Sequence, residues 1–261
     1  MKNKYFVILV IILCLVVSYA IYEFWFGNPE NFLDPEIRHE PKPGNTYGTV
    51  YTGGPIVAVL LSLVFMVVTF VTERFISLWR ARGRGPIEKF VKQVHDHVQS
   101  NNIDAAIDEC NKQRGSAASI LRSGLEQYQL VKDKPDLNGE QRLGEVKRAI
   151  DEATGLETPL LERNLIVLST IASIATMLGL LGTTVGMIRA FQALATSGQA
   201  ASAVQLSIGI SEALINTAGG LIGAVLAIIF YNIFTNKVDN FLYMIEESTL
   251  SLMETLAVRV K

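Results

Sequence analysis

Two long uncharged runs, residues 165–188 and 213–236, constrain this chain more than any other feature. Each exceeds the roughly 20 apolar residues that an α-helix needs to cross the hydrocarbon core of a bilayer. A segment rich in small residues joins them, so the sequence predicts a helical hairpin in a membrane. Two further apolar runs, residues 5–22 and 55–72, predict two more crossings, and hydrophobic residues make up 49% of the chain. The predicted fold class is an all-α integral membrane protein with an extra N-terminal hydrophobic helix.

Polar side chains interrupt the two runs of the hairpin. They are Thr183, Thr184, Glu212, Asn216 and Thr217. A polar group in hydrocarbon without a partner costs several kcal/mol, so these side chains are expected to face protein or water. With the turn centred on Gly198, Thr183 and Glu212 are predicted to lie at a similar depth, because both stand a similar number of residues from the turn. The ionisable Glu212 marks a candidate functional site.

Glycines recur at helical spacing in both runs. Gly182 and Gly186 form one GxxxG motif, and Gly219 and Gly223 form another. Small residues at this spacing let two helix backbones approach closely, so we predict that these glycines pack the two helices together. An alternative interpretation is purely structural: the glycines only pack, and the threonine hydroxyls only bond carbonyl groups of their own helices.

Two motifs of the hairpin carry a family resemblance. The first reads Gly179-Leu180-Leu181-Gly182-Thr183 followed by Gly186-Met187, and the second reads Gly209-Ile210-Ser211-Glu212-Ala213-Leu214 followed by Thr217-Ala218. They resemble the second and third membrane helices of the MotA/TolQ/ExbB proton-channel family, and the chain is most similar to its ExbB-like and TolQ-like subunits. The family usually has prolines where this chain reads Ala175-Thr176-Met177 and Ala224-Val225-Leu226, so two helix kinks are expected to be absent.

The resemblance implies a function and a site. It implies a multi-pass protein of the bacterial inner membrane that is a proton-channel subunit of an energy-transducing motor, with no enzyme activity and no cofactor or metal. Thr183, Thr217 and Glu212 would line the pore. One chain supplies a single carboxylate, so the resemblance implies a homo-oligomer, a pentamer in the ExbB branch, around an ExbD-like or TolR-like single membrane helix. The load would be a TonB-like or TolA-like protein that spans the periplasm. The branch, the driven process and the choice between protons and sodium stay open.

Other classes of protein remain as alternatives. A membrane scaffold would use the glycines and threonines only for packing and would tolerate loss of the charge of Glu212. A solute-transport subunit typically shows internal repeats, which these runs lack. A formal net charge of −2 provides no cationic field for nucleic acid. His95 and His97 stand two residues apart and point to different faces of a helix, so they are poor joint metal ligands.

Basic flanks predict the topology, because positive residues concentrate on the cytoplasmic side. The chain has such flanks at Lys2, Lys4, residues 74–84, Arg163 and Lys237. The predicted order is an N-terminal transmembrane helix or signal anchor (1–22), a periplasmic linker (23–54), a transmembrane helix (55–73), a cytoplasmic helical region (74–162), the proton-channel hairpin (163–236) and a cytoplasmic C-terminal helix (237–261). Residues 18–20 resemble a signal-peptidase site, but the length of the first run favours a retained helix.

Apolar periodicity predicts helices in the cytoplasmic region. One begins after Pro86, two more occupy residues 101–111 and 117–131, and a long helix runs from Gly139 into the third membrane run with a kink at Pro159. A C-terminal apolar stripe is predicted to pack in a bundle. It consists of Val238, Leu242, Ile245, Leu250, Met253 and Leu256. The basic cluster at residues 82–85 is expected to lie at the membrane edge, in reach of anionic lipid.

Overall fold

The structure is a computed structural model that describes residues 2–34, 40–196 and 199–260. Over these residues the chain is helical, and its only strand-like feature is an isolated antiparallel bridge between Phe32 and Pro41. Four helical stretches within the described part are long and apolar enough to cross a membrane. The predicted fold class is confirmed.

The helices follow one another in chain order as α1 Lys2–Ile21, a π-helical turn Tyr22–Phe26, a 3₁₀ turn Pro29–Asn31, α2 Thr46–Tyr51, α3 Pro55–Ala81, α4 Ile87–Gln99, α5 Ile103–Gln113, α6 Ser116–Val131, α7 Gly139–Glu162, α8 Leu165–Thr196 and α9 Gln199–Val260. The chain divides into two compact units. The first comprises residues 1–72 and 166–232, and the second comprises residues 73–165 and 233–261.

In the first unit, the segment before α3 is more ordered than the irregular linker that its prolines suggested. The rings of Tyr22 and Tyr51 stack with centroids 4.6 Å apart, and Phe32 is buried against Tyr51. Asn45 caps α2 by accepting hydrogen bonds from the backbone of Tyr47 and Gly48. Aromatic burial and capping therefore fold this segment, although its residues 35–39 lie outside the described part of the chain.

In the second unit, helices α4 to α7 form a bundle in which α5 packs against α4 and α6, and α6 packs against α7. Helix α4 buries Ile87, Phe90, Val94 and Val98, which are four of the five apolar residues of the predicted face. The fifth, Val91, is half-buried. Helix α5 begins two residues later than expected, because Asn102 caps it by accepting from the Ala105 amide. The helical periodicity of this region is thus confirmed.

The boundary between α7 and α8 differs from the prediction. Helix α7 continues through Pro159, and the chain breaks instead at Arg163 and Asn164, where Asn164 takes a left-handed conformation with φ of 62°. Asparagine tolerates that conformation better than most residues. Arg74 donates a hydrogen bond to the Leu161 carbonyl oxygen at 3.1 Å, and so provides a partner for a carbonyl group in the last turn of α7. The break therefore comes from tertiary contacts, and the proline is accommodated.

The C-terminal stripe is confirmed only in part, because Leu242 and Met253 are half-buried and Leu250 is exposed. The buried apolar residues are Val238, Ile245, Leu252 and Leu256. The first three stand seven residues apart, which keeps them on one helix face. Leu250 is exposed, so Leu252 takes its place in the core.

Candidate functional site

Close contacts between α8 and α9 define the register of the hairpin. A Cβ atom at position 186 would lie 2.9 Å from the Gly209 carbonyl oxygen, and a Cβ at position 182 would overlap the Asn216 side chain. A Cβ at Gly220 would lie 2.8 Å from the Gly179 Cα. Only glycine allows the backbones to approach this closely.

The glycines of the second GxxxG motif occupy a looser environment. A Cβ at Gly219 would lie 3.4 Å from Leu60 Cδ1, and one at Gly223 would lie 3.5 Å from the Ala175 Cβ. Both are ordinary van der Waals distances. The glycines that allow α9 to approach α8 closely are therefore Gly209 and Gly220 on α9. On α8 they are Gly182 and Gly186, the first GxxxG motif.

This register changes the expected depth of the candidate residues. Gly182 faces Asn216 and Gly186 faces Ala213, so Thr183 is level with residues 215–216. Glu212 lies about one helical turn, roughly 5 Å, closer to the turn of the hairpin. The prediction that Thr183 and Glu212 share a depth was wrong, because it centred the turn on Gly198. That residue lies outside the described part of the chain, and the contacts place the centre about one residue further on.

Glu212 forms an ion pair inside the hairpin. Arg189 Nη1 on α8 donates to Glu212 Oε1 on α9 at 2.5 Å. The glutamate side chain is only 10% exposed, whereas the arginine side chain is 54% exposed. The arginine thus provides the countercharge that a carboxylate at membrane depth requires.

Helix α3 begins directly beside this carboxylate. A Cβ at Gly54, the residue before α3, would lie 2.9 Å from Glu212 Oε1, and Gly54 has a φ of 78° that favours glycine. The free backbone N–H groups at the N-terminus of a helix attract negative charge, so the start of α3 also stabilises the carboxylate of Glu212.

Asn216, one helical turn further along α9 than Glu212, links α9 to the segment before α3. It is fully buried, and its Nδ2 donates to the carbonyl oxygens of Gly53 at 2.8 Å and Glu212 at 3.0 Å. Its Oδ1 finds no hydrogen-bond partner among the described residues. The two donated bonds fix the amide, because the opposite orientation would place an oxygen against two carbonyls.

The two threonines bond their own helices. Thr183 Oγ1 donates to the Leu180 carbonyl at 2.6 Å, and Thr217 Oγ1 donates to the Ala213 carbonyl at 3.4 Å. Both side chains are half-buried. Each hydroxyl oxygen keeps lone pairs that can accept a further hydrogen bond.

Comparison with known proteins covers this region. Residues 112–247, more than half of the chain, match the model of the MotA/TolQ/ExbB proton channel family. The chain belongs to that family. Arg189, Glu212 and both candidate threonines lie inside the matched region, and this MotA/TolQ/ExbB family member is a multi-pass inner-membrane protein.

Individual relatives match with different coverage. The Tol-Pal system protein TolQ of Pseudomonas aeruginosa is 30% identical over 188 residues, covering 69% of this chain and 80% of TolQ. The biopolymer transport protein ExbB of Pseudomonas putida is 23% identical over 216 residues, covering 78% of this chain and 61% of that ExbB. An ExbB-like biopolymer transport protein of Synechocystis is 38% identical over 106 residues, 40% of this chain and 50% of that protein.

Sequence reasoning missed how this family member arranges the residues around Glu212. The sequence patterns assigned no role in the site to Arg189, Gly53 or Gly54. One signal was available: an arginine at the edge of an apolar run requires a countercharge, and Glu212 is the only acid in the two runs or between them. The contacts of Gly53 and Gly54 required the tertiary structure, since they join residues distant in sequence.

Proposed function

We propose that this protein is a proton-channel subunit of an ExbB/TolQ-like inner-membrane complex that converts proton flow into work on a periplasm-spanning partner. The observation that supports it is the Arg189–Glu212 ion pair in an apolar hairpin within the family-matched region. Ionisable groups at membrane depth are costly and typically mark ion pathways. A charge that crosses the membrane releases about 2.3 kcal/mol per 100 mV, which is the energy available for work.

In this proposal Thr183, Thr217 and Glu212 line the proton path. Protonation removes the charge of Glu212 and thereby releases the carboxyl group from Arg189, whereas deprotonation restores the ion pair. The half-buried threonine hydroxyls lie about one turn (Thr183) and about one and a half turns (Thr217) deeper and relay protons toward or away from the carboxyl group. Family membership supports these assignments through the matched motif positions.

The proposed channel requires more than one chain. The hairpin of a single chain provides only one carboxylate to a pore. Large apolar side chains such as Phe191 and Leu214 are exposed on α8 and α9. We propose a homo-oligomer, a pentamer as in the ExbB branch, that surrounds the membrane helix of an ExbD-like or TolR-like partner. A TonB-like or TolA-like protein would receive the work.

A helix-packing scaffold is the second candidate. It is favoured by one observation, namely that both threonine hydroxyls donate to carbonyls of their own helices. In a scaffold these bonds would be the whole role of the hydroxyls, and valine would replace threonine at little cost.

Threonine-to-valine substitution separates the two functions. Thr183→Val and Thr217→Val keep the shape of the side chain but remove the hydroxyl, so a channel should lose proton-driven work while the complex still assembles. Thr184→Val is a matched control, since the exposed Thr184 donates to the Leu181 carbonyl in the same way but is not assigned to the path. The readouts are proton-driven uptake or envelope integrity in cells, and co-purification of the complex.

Three outcomes can be distinguished. Loss of work in the Thr183 and Thr217 variants, with a working Thr184 variant and intact complexes, supports the channel. Wild-type work in all three variants would support the scaffold. Equal loss in all three would show that any hydroxyl in this region matters for packing, and the assignment of the two path threonines would be wrong.

A further inference from the structure

A groove with a volume of about 390 Å³ lies in the second unit, between the end of α3 and the part of α9 that follows residue 233. We call it the α3–α9 groove. Phe75, Trp79 and Phe241 contribute aromatic rings to its wall, and Arg82, Lys237 and Asn240 contribute hydrogen-bond donors. The groove combines an apolar wall with positive charge, which is the chemistry of a molecule with an apolar tail and an anionic head.

The two cations of the groove are available for a ligand. Lys237 Nζ lies 5.7 Å from the centroid of the Phe75 ring, which is a cation–π distance. Among the described residues, no acidic side chain pairs with Lys237 or with Arg82. Two uncompensated positive charges close to one apolar wall favour an anion at this place.

The position of the groove along the sequence points to the membrane surface. Phe75 and Trp79 follow the apolar run that ends at residue 72, and Lys237 follows the run that ends at residue 236. Phe75 is 61% exposed and Trp79 is 72% exposed, although large aromatic rings are costly to leave in water. Tryptophan and basic residues concentrate where the hydrocarbon core meets the headgroups, so lipid would cover these rings.

We infer that the α3–α9 groove binds an anionic phospholipid of the cytoplasmic leaflet. The lipid phosphate lies between Lys237 and Arg82, and the upper acyl chain lies along Phe75 and Trp79. The occupant is a lipid because the groove is placed at the end of the apolar runs and its cations are uncompensated. A phosphatidylcholine headgroup cancels its own negative charge and would gain less from the two cations.

Tryptophan fluorescence provides a direct test, since the chain contains only Trp25 and Trp79. In a Trp25→Phe background the remaining fluorescence comes from Trp79 inside the groove. The full-length protein is reconstituted in phosphatidylcholine vesicles, and brominated phosphatidylglycerol or brominated phosphatidylcholine with the same acyl chains is titrated in as the quencher. The ratio of the two quenching constants measures the headgroup preference at the groove.

We expect phosphatidylglycerol to be preferred about fivefold for each cation that it engages. The preference should disappear in Lys237→Gln/Arg82→Gln and fall partly in Lys237→Gln alone. It should persist in Lys132→Gln/Lys134→Gln, which removes the same charge from an exposed site elsewhere in the second unit. In the native groove it should also weaken as salt is raised. In a Trp79→Phe protein, quenching of Trp25 should show little headgroup preference.

Equal quenching of Trp79 by both lipids would overturn the inference. So would a preference that survives the Lys237→Gln/Arg82→Gln double substitution. Absence of quenching by either lipid would mean that protein covers the groove, in this chain or in a second copy, and would also overturn it. None of these outcomes involves Thr183, Thr217 or Glu212, so the channel proposal is tested separately.

Discussion

Arg189 donates to Glu212 at 2.5 Å, joining the last turns of α8 to α9 through the one carboxylate of the hairpin. The pair makes substitution of Glu212 alone ambiguous, because Glu212→Gln removes a titratable group and also leaves an arginine without its partner. Loss of function in that variant could arise from either cause.

A double substitution separates these causes. Glu212→Gln should lower the free energy of unfolding by about 1–3 kcal/mol, less than for a fully buried pair because Arg189 is half exposed. Adding Arg189→Gln should recover part of that loss. Proton-driven work should stay absent in both variants, since neither can ionise at position 212. Thermal unfolding in mild detergent checks the predicted stabilities, and the cellular work assay checks the predicted loss of proton-driven work. Recovered work in the double variant would mean that the glutamate only neutralises Arg189.

Close packing at Gly182 gives a second prediction. A methyl group there would overlap Asn216, whose amide is held by the Gly53 carbonyl and cannot move aside. Gly182→Ala should therefore destabilise the protein by about 1–3 kcal/mol. Gly219→Ala should be neutral or stabilising by up to about 1 kcal/mol, because it meets only the flexible Leu60 side chain and alanine favours a helix. Opposite signs in thermal unfolding are expected, and equal effects would contradict the register of the hairpin.

The buried Arg74 gives a third prediction. It is 1% exposed, binds Glu73 through two bonds of 2.9 Å and donates to Leu161 at the end of α7, while Asn164 donates to the same glutamate. Arg74→Gln should cost about 2–4 kcal/mol of stability, because it leaves charge and carbonyl groups unpaired. Arg80→Gln, an exposed neighbour, should change stability by less than about 0.5 kcal/mol. A mild Arg74 variant would show that water replaces these bonds.

Cys110 predicts a dependence of stability on pH. Burial raises the pKa of its thiol from an ordinary value of 9.0 to about 12 in the folded protein. Below pH 9 the thiol is neutral in both states and its contribution is constant. Above pH 9 only the unfolded state ionises, so stability should fall progressively up to about pH 12. Cys110→Ala should show a smaller fall over that range in matched unfolding measurements. Parallel curves would indicate that the thiol titrates normally.

The last prediction concerns the membrane topology, which can be tested by labelling cysteines from outside the cell. The native Cys110 is not suitable for this test because it is buried. A thiol that is 2% exposed reacts poorly on either side of the membrane, so its silence would say nothing about location. Exposed positions are better: Lys42→Cys should react with an impermeant reagent in intact cells, and Asp133→Cys should react only after permeabilisation. Labelling of Asp133→Cys in intact cells would contradict the predicted topology.

The sequence alone determined the helical class, the four apolar spans, the family and the apolar face of α4. These properties depend on length, hydropathy and spacing along one element, and such local patterns are written directly in the chain. The glycines at 182 and 186 were also recognisable, since GxxxG spacing needs no knowledge of the partner.

Only the tertiary structure decided which residues meet. The pairing of Glu212 with Arg189, the shift of Thr183 by one helical turn and the break at Asn164 all depend on how separate helices pack. A shift of three or four residues preserves a helix face almost unchanged, so periodicity cannot distinguish the alternative registers. Close contacts distinguish them, because Gly182 can accommodate Asn216 and Gly186 can accommodate Ala213 in only one of these alignments.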